Sequence, residues 1–193
     1  VYCSGVGFAS DGPDANAPAY DDIIQARSGL AALNKDAKGA PQFVRTVACD
    51  KVVGLHLALA ISAGVIKQQR ENQGSAIEVP MLESMAAFLM SEHLAGHTLI
   101  PAEGELGYER LFSANRKPFK TTDGYIAVMP YTSKQWVSFL QLIGRDELSQ
   151  AAWVIDGAQR SERIDELYGL VGGVIQSHDT AHWLALLGRH DIP

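Results

Sequence analysis

Hydrophobic and polar positions alternate first in a strand-like way and then at helical spacing. Val1, Tyr2, Cys3 and Ser4 form a β-branched and aromatic run that predicts a strand, carried on into Gly5, Val6, Gly7 and Phe8. Asp, Gly, Pro, Asn and Ala then dominate as far as Ala19, a stretch long enough to act as a site wall. Within Tyr20–Leu33, the residues Ile23, Ile24, Arg27 and Leu30 share one helical face, and Gly29 ends or bends the helix. From Asp50 to Arg70 the apolar residues Val52, Val53, Leu55, Leu59, Ile61 and Ile66 cover every side of a helix, and such a helix is expected to be buried. Gly74 stops it. Ile77 and Val79 alternate with polar neighbours as a short strand, and a second helix runs from Met81 to about Gly96, with Met81, Met85 and Met90 expected to pack inward. Helix, strand, helix suits an α/β layer.

After Thr98 the texture changes to loop, with Pro101, Gly104 and Gly107 marking a boundary between two structural units. Beyond it, Phe119–Thr122 and Tyr125–Met129 flank Asp123-Gly124, which predicts a hairpin whose tight turn draws on positive φ at that pair. Three helices follow, over Lys134–Ile143, Ser161–Ile175 and Thr180–Gly188, with Trp136, Phe139, Leu167, Val171, Trp183 and Leu187 on their apolar stripes. No internal repeat interrupts this order.

Composition narrows the class. Over 193 residues, 47% are apolar and 20% charged, which excludes a disordered tail, a collagen-like repeat and a disulfide-stapled miniprotein. Sixteen Lys and Arg against 22 Asp and Glu leave a net charge of −6 without a basic block, so neither nucleic acid nor an anionic membrane surface is an expected partner. The most apolar run, Leu57–Ile66, is about half of what a bilayer-spanning helix requires. Cys3 and Cys49 are too few for a disulfide framework, and a cytoplasmic location is expected. Since the chain opens on Val1 inside a strand-like run, it is expected to begin within a larger protein.

Several residues carry candidate chemistry. Asp50 stands before the most apolar helix, where it reads either as an N-cap or as a carboxylate at the positive end of that helix, accessible to an electrophile. Asp21 and Asp22 read as a general acid/base pair or, more simply, as solvated first-turn charges. Cys49 with His56 has the residue types of a thiol nucleophile and its base, but no orienting acid follows, so a buried inert thiol is the simpler reading. His93/His97 and His178/His182 are spaced to share a helix face, yet no third ligand accompanies either pair and no metal is expected. Gly5-x-Gly7 lacks the third glycine of a dinucleotide fingerprint.

Together, Val1–Phe8, Asp11-Gly12-Pro13, Pro18–Leu30, Asp50 with Gly54, Arg70–Gly74, Glu78–Leu82, Thr122–Ile126 and Trp183–Pro193 resemble the family III CoA-transferases, a group that also holds acyl-CoA racemases. The resemblance covers the whole chain. It implies an α/β fold in which residues 1–80 are the later part of a large Rossmann-like CoA-binding domain, 81–106 a connecting helix and linker, and 107–193 a smaller α+β domain. It also implies that Asp50 is the catalytic aspartate, that Asp21 is a second catalytic-site residue, and that Tyr20, thirty residues before Asp50, and Met81 contact coenzyme A. Coenzyme A would enter as acyl-CoA, beside a carboxylic acid substrate, in a homodimer of interlocked subunits; these residues alone are expected to be inactive. Racemases of the family carry histidine where Tyr20 stands, which disfavours racemisation. Ser113–Pro118 lacks the glycine run of the formyl-CoA branch. The alternatives are a racemase or a catalytically silent family fragment acting as a dimerisation module.

Overall fold

The computed structural model describes all residues, 1–193, and the chain divides into two units, Val1–Gly107 and Tyr108–Pro193. In the first, strand β1 (Tyr2–Val6) pairs in parallel with β2 (Ala76–Pro80), setting Cys3 opposite Ile77 and Gly5 opposite Val79. Parallel pairing demands a crossover. It is made by helices α1 (Asp21–Arg27), α2 (Leu30–Leu33) and α3 (Ala48–Glu71), and β2 then leads directly into α4 (Met81–His93). The helix read over Tyr20–Leu33 is therefore two helices, parted at Gly29, whose φ of 92° is open to glycine and costly for other residues.

The loop after β1 folds back on the strand. A Cβ at Gly7 would fall 2.1 Å from the Ala19 Cβ, so the close return of the chain depends on a missing side chain. Two glutamates hold the loop: Ala9 N–H donates to Glu83 Oε1 at 3.2 Å and Ser10 N–H to Glu78 Oε1 at 2.9 Å. Arg27 pairs with Asp14 and lies 4.7 Å from the Phe8 ring centre. Phe8, Ile24, Cys49, Met85 and Leu89 form the core of this unit, with Val52, Met81 and Leu82 packed against it.

Helix α3 departs from expectation. It begins two residues before Asp50 and buries only Cys49, Val53 and Gly64, whereas Leu55 and Leu59 are 69% and 68% exposed and Ile61, Val65 and Ile66 are exposed as well. It is also longer than the Leu57–Ile66 run suggests, and by length and composition it is apolar enough to cross a membrane. The physical reason for its exposure is that a helix apolar on every side needs cover on every side. Within this chain β1, β2, α1 and α4 pack against it. Burial of a Leu or Ile side chain contributes roughly 1.5–3 kcal/mol, so the open face leaves a large hydrophobic gain unrealised. Met90, expected inward, is likewise 37% exposed.

The second unit has a fuller core, built around Trp136, Phe139, Leu140, Tyr168, Val171 and Trp183. Its helices are α5 (Glu109–Phe112), α6 (Ser133–Leu142), α7 (Asp146–Ser149), α8 (Ala152–Ile155), α9 (Gly157–Glu162), α10 (Ile164–Ile175) and α11 (Thr180–Gly188). Thr132 and Gln135 form a reciprocal capping box at the start of α6. The helix read over Ser161–Ile175 is interrupted at Arg163, where φ is −114° and ψ 19°. Strands β3 (Phe119–Lys120) and β4 (Tyr125–Ile126) form the expected hairpin in shortened form, with Phe119 opposite Ile126.

The hairpin turn is not the one expected, for neither Asp123 nor Gly124 has positive φ. Side chains shape it instead. Gly124 N–H donates to Thr121 Oγ1 at 2.9 Å, and Asp123 Oδ1 accepts from Thr121 Oγ1 and from the N–H and hydroxyl of Thr180 at the start of α11. The Thr180 N–H and hydroxyl, then the Thr121 hydroxyl, hold the Asp123 carboxyl below its ordinary pKa. A carboxyl with a depressed folded-state pKa contributes stability above the ordinary Asp range and loses it as pH falls through the folded value. Acidification through that window should therefore lower the melting temperature of the full-length protein more than that of its Asp123→Asn variant, the two curves converging at the acid end. Parallel curves would remove the contribution.

Candidate functional site

The first backbone N–H groups of α3 need acceptors from outside the helix. Val47, at the N-cap position, has no side-chain acceptor to offer. Asp21 supplies it from α1: Cys49 N–H donates to Asp21 Oδ1 at 2.8 Å, and Asp50 N–H donates to the same oxygen at 3.1 Å. Its other oxygen, Oδ2, accepts from Gln25 Nε2 at 2.6 Å, one turn along α1. Asp21 is accordingly buried, 7% exposed, which corrects its reading as a solvated first-turn charge; Asp22 beside it is exposed. An acid at the start of one helix caps another, 28 residues later in the chain.

Asp50 is not the N-cap of α3. It is the third residue of that helix, with its N–H held by Asp21, while its own carboxylate is exposed and makes no hydrogen bond or ion pair within the chain. Gly54, one turn further on, has open space where a Cβ would stand. A helix-interior glycine costs about 1 kcal/mol relative to alanine, and no contact in this chain accounts for it. What it leaves is an unobstructed surface beside the Asp50 carboxylate.

Tyr20 is the residue before Asp21, caps α1 through its backbone and is 77% exposed. Met81 opens α4 and packs half-buried on the core to which Cys49 belongs. Tyr20, Asp21, Asp50 and Met81 thus lie at the starts of three mutually packed helices, α1, α3 and α4. Gln25 escaped the sequence reading, although its place four residues after Asp21, next to buried Ile24, was a readable sign of a side-chain pair.

The other candidate residues stand differently. Cys49 is fully buried, and burial, followed by the charges of Asp21 and Asp50, pushes its thiol up to about 11. The thiolate needed for nucleophilic attack is thereby suppressed. Nor do the histidine pairs share a helix face as expected. His93 ends α4, whereas His97 lies in the turn Ala95–Thr98 with Nε2 at 3.0 Å from the Gly104 carbonyl. His178 precedes α11 and stacks on His182, ring centres 4.1 Å apart.

Comparison with known proteins follows the whole chain. The model of CoA-transferase family III matches residues 1–193. The acetyl-CoA:oxalate CoA-transferase of Acetobacter aceti is 25% identical over 194 residues, covering 100% of this chain and 50% of that protein. The succinyl-CoA:glutarate CoA-transferase of Homo sapiens is 27% identical over 198 residues, covering 100% and 44%. The chain spans about half the length of the curated relatives it matches. Among solved structures, a Mycobacterium tuberculosis protein superposes with a TM-score of 0.77 at 23% identity, over 100% of this chain and 51% of that one. A CAIB/BAIF family protein from Brucella suis gives 0.70 at 23% identity, over 100% and 51%. The α/β fold expected from the sequence is borne out as a mixed, helix-rich one, and it is the fold of these neighbours.

The state of Cys49 is directly measurable. With a thiol pKa of about 11, the thiolate is on the order of one part in a thousand at about pH 8. Iodoacetamide should leave Cys49 unmodified in the native full-length protein and alkylate it once urea unfolds the chain. Peptide mapping that found equal labelling in both states would show the thiol to be open.

Proposed function

The chain belongs to CoA-transferase family III, and on that footing we propose that the full-length protein moves CoA between an acyl-CoA thioester and a carboxylic acid, with Asp50 as the nucleophile. One observation carries the reading: the Asp50 carboxylate is exposed and unengaged while its own backbone N–H is fixed by a buried acceptor. A carboxylate is a weak nucleophile. It suffices where the leaving group is a thiolate and the reacting atoms are held at attack distance.

In the proposed cycle an Asp50 oxygen attacks the thioester carbonyl carbon. The C–S bond breaks, CoA leaves as thiolate, and a mixed anhydride joins the acyl group to the aspartate. The thiolate then attacks the Asp50 carbonyl carbon, forming an aspartyl-CoA thioester and releasing the donor acid as carboxylate. An acceptor carboxylate attacks the carbonyl carbon of this thioester, its C–S bond breaks, CoA leaves again as thiolate, and a second anhydride joins Asp50 to the acceptor. Thiolate attack at the acceptor's carbonyl completes the new acyl-CoA and frees Asp50, so that no net proton is consumed.

The start of α3 carries partial positive charge, which favours the negative charge that builds on the thioester oxygen. Asp21 fixes the turn that presents Asp50. Tyr20, exposed beside it, and Met81, a soft apolar surface at the start of α4, contact the coenzyme. The acids for which two relatives are named, oxalate and glutarate, make a dicarboxylic acid the acceptor class to test first.

The open apolar face of α3, together with the half-length match, supports burial of that face by the rest of the subunit and by a second copy, as in an interlocked homodimer. Sedimentation should find the full-length protein dimeric at micromolar concentration, and a monomer with full transferase activity would dispose of the second copy. Asp50→Asn in the full-length protein should lower transfer at least about 1,000-fold while CoA affinity stays within about twofold. Mass spectrometry of the native protein quenched with acyl-CoA should find the adduct on the Asp50 peptide. Transfer retained within about tenfold in the variant would sink Asp50 as the nucleophile.

A further inference from the structure

Gln25 is 1% exposed and is the most enclosed polar side chain of the first unit. Its amide reaches three places. Nε2 donates to Asp21 Oδ2 at 2.6 Å and to the Thr46 carbonyl at 3.3 Å, and Oε1 accepts from Val44 N–H at 2.9 Å. The surroundings define the orientation of the amide, since turning it over would set Oε1 against a carboxylate and a carbonyl and the NH2 group against an N–H donor.

These contacts join α1 directly to the segment leading into α3, whose other ties include Gln42 N–H to the Ala31 carbonyl at 3.1 Å, Asn34 Nδ2 to the Gln42 carbonyl at 3.2 Å and Lys51 Nζ to Thr46 Oγ1 at 2.6 Å. Residues 41–47, which lead into α3, have no regular structure, and Arg45, Thr46 and Val47 are exposed. Asp21, for its part, must keep Oδ1 aimed at Cys49 N–H and Asp50 N–H, which one staggered setting of its Cα–Cβ bond allows and the others do not. Gln25 constrains both at once: it locks the Asp21 carboxylate through Oδ2 and tethers the approach to α3 at Val44 and Thr46. We propose that Gln25 is a positioning residue for Asp50, acting through Asp21 and the Val44–Thr46 backbone to fix where the first turn of α3 presents its free carboxylate. The catalytic half of this inference rests on the proposed role of Asp50; the structural half does not.

Misplacement of a reacting group by about 1 Å is enough to cost on the order of a hundredfold in rate. Two variants of the full-length protein test the inference. Gln25→Leu keeps the bulk and removes every hydrogen bond, whereas Gln25→Glu keeps the shape and sets a second carboxylate against Asp21. For both, kcat for acyl transfer should fall about 10- to 100-fold, with KM for acyl-CoA and CoA affinity within about twofold. Hydrogen exchange at the Cys49 and Asp50 amides should accelerate at least about tenfold, with the amides of α10 unchanged. A kcat within twofold of the parent overturns the proposal, as does unchanged exchange at Cys49 and Asp50. Loss of folded protein in both variants, or a fall in CoA affinity that matches the fall in kcat, also overturns it, because either marks a general structural role. Should Asp50→Asn retain transfer, the nucleophile reading fails by itself, and the exchange measurement, which needs no turnover, still decides whether Gln25 holds the turn.

Discussion

A helix cannot accept hydrogen bonds from its own first N–H groups, and in this protein that requirement is met across 28 residues of chain. The acceptor is Asp21, and because it stands at the start of α1, capping α3 also fixes where α1 lies. Gln25 and Ile24 follow one turn inside α1, the first bonded to Asp21 and the second packed in the small core with Phe8, Cys49, Met85 and Leu89. The capping bond therefore ties together the polar network and the apolar core of the first unit. It also leaves the other carboxylate of the pair, Asp50, with nothing to bind in this chain.

The division of labour between the two aspartates follows from geometry. Both are Asp, near each other and near the same helix end, yet Asp21 has both oxygens occupied by N–H donors and Asp50 has neither. A carboxylate saturated with donors is a good structural element and a poor nucleophile. An exposed one whose backbone is held keeps both oxygens free to meet another group. Cys49 shows the same logic with opposite outcome: complete burial, then the charges of Asp21 and Asp50, favour its protonated thiol.

The units also differ in how much of their apolar surface they resolve internally. The second closes over two tryptophans, a tyrosine and two phenylalanines, and its helix stripes were readable because each faces one core from one side. The first leaves Leu55, Leu59 and Ile61 of its longest helix in the open. Periodicity reported correctly that α3 is apolar all round. It carried no information on whether the covering surfaces lie within these residues, and for most of the helix they do not.

Local chemistry accounts for what was legible. Alternation and helical spacing located both strands of the parallel pair, α3, α4, α6 and α11, and glycine at positive φ parted α1 from α2 at Gly29. The hairpin was placed correctly but its turn was not, because Asp123 turned outward to the start of α11 and Thr121 took over the turn. Asp21 and Gln25 follow the same rule. The sequence by itself determined where the longer elements lie and which family the chain resembles, since periodicity, backbone preference and motif spacing act over a few neighbouring residues; the short helices α5, α7, α8 and α9 hold too few turns to show a period. Only the tertiary structure decided which carboxylate is occupied and which is free: a hydrogen bond reaches about 3 Å, and what lies within that distance depends on where distant parts of the chain return.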